Sequence, residues 1–187
     1  PIPSLQSIDH EEKVIYLGTF SKSIAPSLRI SYMVLPLHLL KKYQESCSFY
    51  STTVSKIQQE VLREFIRGVY FGRHLNKMRG IYKNKHDFLV GELKKKNWVQ
   101  NIAGDNAGLH VLVQVNTTLT EEEICKKAAE CGIRLMGIRE HYIHTPPEGR
   151  PVLLLGYGKP DEQEIQKGLE VLESIITGRN SNNCKKP

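Results

Sequence analysis

Lys22 stands in the run Gly18-Thr19-Phe20-Ser21-Lys22-Ser23-Ile24-Ala25-Pro26-Ser27-Leu28-Arg29-Ile30-Ser31-Tyr32. A strand-like apolar run, Val14 to Leu17, leads into it. Thr19, Ser21 and Ser23 surround the lysine, and Arg29 follows seven residues later. A primary amine can form a Schiff base with an aldehyde. Hydroxyls and a forked guanidinium can hold a phosphate. Together these residue types meet the needs of a covalently held, phosphate-bearing aldehyde cofactor. Taken by type alone, Thr19 and Ser21 fit turn formation as well as phosphate binding.

The elements that must position this run follow from periodicity and punctuation. Residues 1–12 read as loop, Val14 to Leu17 as a short buried strand, and Ile30 to Leu35 as a second strand stopped by Pro36. Pro36 can open a helix over Leu37 to Tyr43, since its missing N–H costs nothing at a helix start. Ser51 or Thr52 can cap a long helix in which Val54, Ile57, Val61, Phe65 and Val69 recur at helical spacing. A second helix runs from about Arg73 to Lys96. Beyond Trp98 the pattern turns to short mixed elements. Leu109 to Val115, Ile133 to Ile138 and Pro151 to Tyr157 read as strands. Thr120 with Glu123 and Asp161 with Glu164 have capping-box spacing and open two helices. Gly132 and Gly178 stand where left-handed caps end them. The polar tail after Gly178 reads as disordered.

A hydrophobic content of 40% with 25% charged residues is ordinary for a soluble globular chain, which argues against a disordered or fibrous class. No apolar run approaches the roughly 18 residues a bilayer span needs, and the expectation is a cytoplasmic protein without membrane contact. The net charge of +6 arises between Arg73 and Lys96, where eight Lys or Arg face only Asp87 and Glu92. This reads as a solvated basic helix rather than a nucleic-acid surface, because aromatic interleaving is missing. Cys47, Cys125, Cys131 and Cys184 form no Cys-x-x-Cys pair and no zinc spacing, so they read as unpaired thiols and no metal is expected. His110, His141 and His144 read as packed or hydrogen-bonded residues rather than catalysts, and the hydroxyls of Tyr16, Tyr32 and Tyr82 as core or interface groups.

The run GTFSKSIAPSLRISY resembles the cofactor-lysine segment of fold-type I aminotransferases that use pyridoxal 5′-phosphate. It looks most like the aminotransferase-like domain of MocR-type regulators in the GntR family. PIPSL resembles the stretch the family carries shortly before the lysine strand, and RHLNKMRGIYKNKHDFLVGEL, AGLHVLV and LLLGYGKPDEQEI resemble later family segments in the same order. The resemblance implies an α/β fold: the C-terminal part of a fold-type I transferase. Residues 1–72 would end the large cofactor domain, 73–97 would form the interdomain helix, and 98–178 a small α+β domain, with 179–187 as the tail. The chain, opening on Pro-Ile-Pro, is expected to be a piece of a longer protein. By the resemblance, Lys22 holds the cofactor covalently and shuttles a proton, Arg29 clamps its phosphate, Thr19 also reaches the phosphate, and Ser21 lies close by.

Two departures bear on function. Many aminotransferases carry an arginine on the last small-domain strand to grip the substrate carboxylate; alignment of LLLGYG puts Leu154 there, with Arg150 nearby but outside the strand. The acid facing the pyridine nitrogen, the aromatic stacked on its ring and a phosphate-binding helix N-terminus are expected upstream of this chain. The resemblance therefore implies the effector-sensing domain of a GntR/MocR-type regulator. It would bind an amino acid or amine, form a homodimer in the intact protein, and reach DNA only through an upstream winged-helix domain. The alternative is a free-standing aminotransferase acting on an amino acid. A third reading, from the residues alone, is a cofactor-free α/β interaction module.

Overall fold

The computed structural model describes residues 3–104, 108–145 and 149–178. It divides into two compact units, Pro1–Met78 and Arg79–Pro187. The disordered-tail expectation lies outside the described residues.

In the first unit, the Asp9 carboxylate gathers the backbone N–H groups of Glu11, Lys13 and Val14 at 3.0, 2.8 and 2.7 Å. This tight turn delivers the chain into β1, Tyr16–Thr19. The strand thus starts two residues later than the apolar run suggests. β1 leads into α1, Phe20–Ser23, and β2, Ser31–Val34, returns antiparallel with Gly18 facing Tyr32 and Thr19 facing Ser31. Pro36 does open a helix, α2, but it runs on to Cys47. α3 spans Lys56–Arg67 and is capped by Ser55, whose hydroxyl accepts from the Gln58 N–H at 3.2 Å. The cap expected at Ser51 or Thr52 is therefore misplaced: Ser55 alone has its hydroxyl within reach of an orphan N–H of this helix's first turn. Val69 then adopts φ 58°, a conformation that costs a β-branched residue energy, and it separates α3 from α4, Tyr70–Lys94.

The second unit holds the core. Among the described residues, the buried apolar side chains other than Ile30 lie in it. β3 (Val99–Ala103), β4 (His110–Val115), β5 (Met136–Gly137) and β6 (Val152–Gly156) form an antiparallel sheet in the order β3-β4-β6-β5. Val111, Val113, Val115, Leu153 and Leu155 alternate onto one face and are buried. Against them pack Leu89, Val90 and Leu93 of α4, Ile124 and Ala128 of α5 (Glu121–Glu130), and Ile165, Leu169 and Leu172 of α6 (Glu162–Thr177). Both expected capping boxes are present, and Gly132 and Gly178 are left-handed. β3 was not expected. The strand expected over Ile133 to Ile138 shrinks to two residues, because only Met136 and Gly137 pair with β6. Cys47 and Cys125 carry free thiols, whereas Cys131 is disulfide-bonded, so the expectation of unpaired thiols fails at Cys131. No helix among the described residues is long and apolar enough to cross a membrane, and they hold no metal-ligating cluster.

Candidate active site: the Lys22 turn

The lysine turn is tied together by one carbonyl. Ile30, the buried apolar residue of the first unit at 6% exposure, presents its C=O to two donors: the Phe20 N–H at 2.9 Å and the Thr19 hydroxyl at 3.2 Å. Thr19 is also the N-cap of α1, its Oγ1 accepting from the Ser21 N–H at 3.2 Å. The Ser23 hydroxyl closes back on the Thr19 carbonyl at 3.3 Å, and the Ile24 N–H donates to the Phe20 carbonyl at 2.8 Å. Lys22 is therefore carried on a single helical turn whose first residues are bonded to Ile30, between Arg29 and β2.

Arg29 itself adopts φ 51° and ψ 32° at the end of a short 3-10 turn over Pro26–Leu28. A left-handed arginine costs on the order of 1–3 kcal/mol, and such strain persists where the surroundings over-determine it. The hydrogen bonds that fix Phe20, Thr19 and Ile30 supply that constraint. Lys22 and Arg29 are both exposed, and the side chains of both are without hydrogen bond or ion pair among the described residues.

The chemistry of this donor set fits a phosphate-bearing aldehyde. It offers an uncommitted amine, an uncommitted guanidinium and the half-buried Ser21, whose hydroxyl makes no hydrogen bond among the described residues. Thr19 differs. A hydroxyl has one proton, and that proton goes to Ile30. Thr19 can donate to a phosphate only by giving up that bond.

One residue that sequence reasoning did not single out for this turn is Tyr32. Its ring lies across Gly18: a Cβ built there would fall 2.3 Å from the ring. The ring centroid is 5.0 Å from Phe20 and 6.0 Å from Tyr16. A hydrogen bond with the Tyr16 side chain, then burial, hold the Tyr32 phenol above its ordinary range. The available signal was a glycine directly before Thr19 with an aromatic at the paired strand position, but the pairing register was needed to read it.

In the second unit, Leu154 lies half-buried in β6 between Leu112 of β4 and Met136 of β5. Arg150 precedes the strand and donates from its guanidinium to Asn116 Oδ1. Glu121 is the buried charged residue, 7% exposed. Its two carboxylate oxygens accept from the N–H groups of Arg139 and Val152, each at 2.9 Å. His110, His141 and His144 are exposed.

Lys22 thus stands on the turn after β1, Arg29 ends the 3-10 turn that follows it, and a small antiparallel sheet packed with helices makes up the second unit. Residues 2–165 match the family model "Aminotransferase class I and II", and the chain belongs to that family. It is 39% identical over 175 residues to the uncharacterized HTH-type transcriptional regulator YdeL of Bacillus subtilis, covering 93% of this chain and 37% of that protein. It is 29% identical to the probable rhizopine catabolism regulatory protein MocR of Rhizobium meliloti, covering 94% of this chain and 36% of that one. The chain thus spans little more than a third of these relatives. Among solved structures, a multiple substrate aminotransferase from Thermococcus profundus superposes with a TM-score of 0.79 at 22% identity, covering 95% of this chain and 44% of that chain. LysN, an α-aminoadipate aminotransferase from Thermus thermophilus solved with N-(5′-phosphopyridoxyl)-L-leucine, gives 0.78 at 23% identity, covering 95% and 46%. The α/β fold, the C-terminal part of a fold-type I transferase, stands on these matches.

Proposed function

We propose that this chain is the C-terminal part of the pyridoxal 5′-phosphate-binding, effector-sensing domain of a GntR/MocR-type transcriptional regulator. The observation that carries the reading is the pair of uncommitted cations, Lys22 and Arg29, on a turn braced by the Ile30 carbonyl. The 39% identity to an HTH-type regulator, against 22% to the aromatic-amino-acid aminotransferase 1 of Thermococcus litoralis, favours a regulator over a free-standing enzyme.

When bound, the cofactor supplies an electron sink for an amine ligand. The residues of this chain hold and orient it. Lys22 would supply the amine that holds the aldehyde, and its free nitrogen would take and return a proton. Arg29 offers its fork to the phosphate, and Ser21 adds a hydroxyl donor. Thr19 sets the turn and reaches the phosphate by rotating its proton away from Ile30. The ligand is an amino acid or amine, the intact protein a cytoplasmic homodimer, and DNA is met by a winged-helix domain upstream.

The test uses the full-length protein and its visible absorbance. Pyridoxal phosphate should give a band at neutral pH that Lys22→Ala abolishes and that an amine ligand perturbs. A band that survives Lys22→Ala unchanged overturns the assignment.

A further inference from the structure

We propose that Tyr32 is a positioning residue for Lys22: its ring is the wall that fixes the height and tilt of the turn carrying the amine. The inference rests on the reading that Lys22 holds the cofactor. It goes beyond that reading by assigning the setting of the amine to a residue ten positions away that need not touch the cofactor.

The argument begins at Gly18, which pairs directly with Tyr32 across the two strands. With no side chain at Gly18, the Tyr32 ring folds over the strand instead of standing away from it. A Cβ at that position would meet the ring at 2.3–2.6 Å, closer than real Cβ contacts come. So laid down, the ring reaches Phe20 at 5.0 Å with the planes 34° apart. Phe20 is the first residue of α1 and the hub of its hydrogen bonds. Its N–H goes to Ile30, and its carbonyl receives Ile24 and Ala25 at 2.8 and 3.3 Å. On its other side Phe20 meets Phe71 edge-on at 6.2 Å, and Phe71 meets Phe65 at 6.3 Å. The base of the turn is thus gripped between Tyr32 and the α3–α4 aromatics. The amine of Lys22 hangs two residues beyond Phe20. The Tyr16 ring packs beside Tyr32 with its centroid 6.0 Å away.

A displaced base moves a long, otherwise unheld side chain. The geometric part of covalent cofactor capture is sensitive to shifts of about 1 Å. The ring itself lies over Gly18 and against Phe20, so the planar body carries the role.

The experiment uses the full-length protein with pyridoxal 5′-phosphate and three variants, Tyr32→Phe, Tyr32→Leu and Gly18→Ala. Three quantities are read. One is the pH midpoint of the visible band, another the rate of cofactor loss on dilution. The third, on cofactor-free protein, is the rate of Lys22 acetylation relative to Lys41 by mass spectrometry. Tyr32→Leu and Gly18→Ala should move the midpoint by about half a pH unit or more and speed cofactor loss on the order of tenfold. They should also change the Lys22-to-Lys41 labelling ratio. Tyr32→Phe should restore all three to near the wild-type values at an unchanged melting temperature. Wild-type values in a folded Tyr32→Leu protein overturn the proposal, and so does a Tyr32→Phe protein that fails like Tyr32→Leu. Should Gly18→Ala fail to fold, Tyr32→Leu decides. A wild-type protein without any Lys22-dependent band overturns the cofactor reading itself, an outcome separable from the other two.

Discussion

The Thr19 hydroxyl donates to the Ile30 carbonyl at 3.2 Å, so the residue that caps the lysine turn is bonded to the residue that follows the arginine. This bond runs across eleven positions and shares its acceptor with the Phe20 N–H. Its removal should act on geometry before it acts on binding. Thr19→Ser keeps both the donor and the cap. Thr19→Val keeps the shape and loses both, leaving the Ser21 N–H without its cap at a cost of roughly 1 kcal/mol. The expected result is a cofactor-free melting temperature lowered in Thr19→Val and unchanged in Thr19→Ser. Cofactor affinity should fall only in Thr19→Val. If Thr19 held phosphate without bracing the turn, the cofactor-free proteins would melt alike.

Arg29 separates strain from function in the same turn. Its φ of 51° is unfavourable for arginine and free for glycine. Arg29→Gly should raise the stability of cofactor-free protein by up to about 1 kcal/mol. The same substitution removes the guanidinium and should weaken cofactor retention strongly. Opposite signs in the two measurements are the expected outcome. Arg29→Lys keeps charge but not the fork, and should fall between wild type and Arg29→Gly in affinity. A glycine variant that retains cofactor normally would remove Arg29 from the phosphate role.

What is legible in the sequence here, and what is not, follows the range of each interaction. The boxes Thr120–Glu123 and Asp161–Glu164 are four-residue devices and stand out directly. So do Lys22 and Arg29, whose types and spacing carry the chemistry. β3 is hidden because Val99–Ala103 does not alternate and its pairing with β4 shifts register between Val99 and Asn101. The break at Val69 is hidden too, since a β-branched residue gives no warning of a positive φ. Gly18 over Tyr32 and Glu121 against Gly137 are contacts between elements, and only the register of strands brings them together.

Glu121 should behave as a staple of the small sheet. Its carboxylate satisfies the N–H groups of Arg139 and Val152, and its side chain fills the space above Gly137, where a Cβ would lie 2.3 Å from Oε2. Glu121→Gln keeps one acceptor and turns an NH₂ toward the other donor. It should destabilise by about 1–3 kcal/mol in chemical denaturation. Gly137→Ala should destabilise as well, but less in a Glu121→Ala background, because Oε2 and Cδ are gone and only the Cβ contact at 2.8 Å remains. Strict additivity of the two would show that they do not meet.

Acid should loosen the N-terminal turn and α5 together. The Glu123 carboxylate is held below its ordinary value chiefly by the Thr120 backbone N–H, with the Thr120 hydroxyl and Lys127 assisting. Asp9 is held low chiefly by the Val14 N–H, then by those of Glu11 and Lys13. A carboxyl whose folded pKa lies below its unfolded value adds stability above the unfolded value. That contribution is lost as pH falls through the folded value. Stability should therefore decline below about pH 4. In Glu123→Gln the decline should be shallower, because the titrating capping carboxylate has been removed. An unchanged slope in that variant would show that the box does not contribute to acid sensitivity.

The isolated 187-residue chain should fail to catalyse steady transamination. Its second unit has a core, whereas the first has, among the described residues, one buried apolar residue, Ile30, and leaves Leu17, Leu37, Ile57 and Val61 at 65–77% exposure. Lys22 and Arg29 therefore stand on the unit with least to hold it. The resemblance also puts the acid for the pyridine nitrogen and the stacking aromatic upstream, so the electron sink would lack its partners here. Amide exchange should show this division. The N–H groups of Val113 and Leu153 should be protected far longer than those of Tyr16 and Phe20, since the slowest amides report the packed core. Purified chain mixed with pyridoxal phosphate and a panel of amino acids should give only weak, reversible absorbance, and Lys22→Ala should change it little. Sustained, Lys22-dependent turnover by the isolated chain would show that these residues already carry a complete site. Turnover, or a ligand-dependent spectral change, in the full-length protein alone would place the missing groups in its remaining segments.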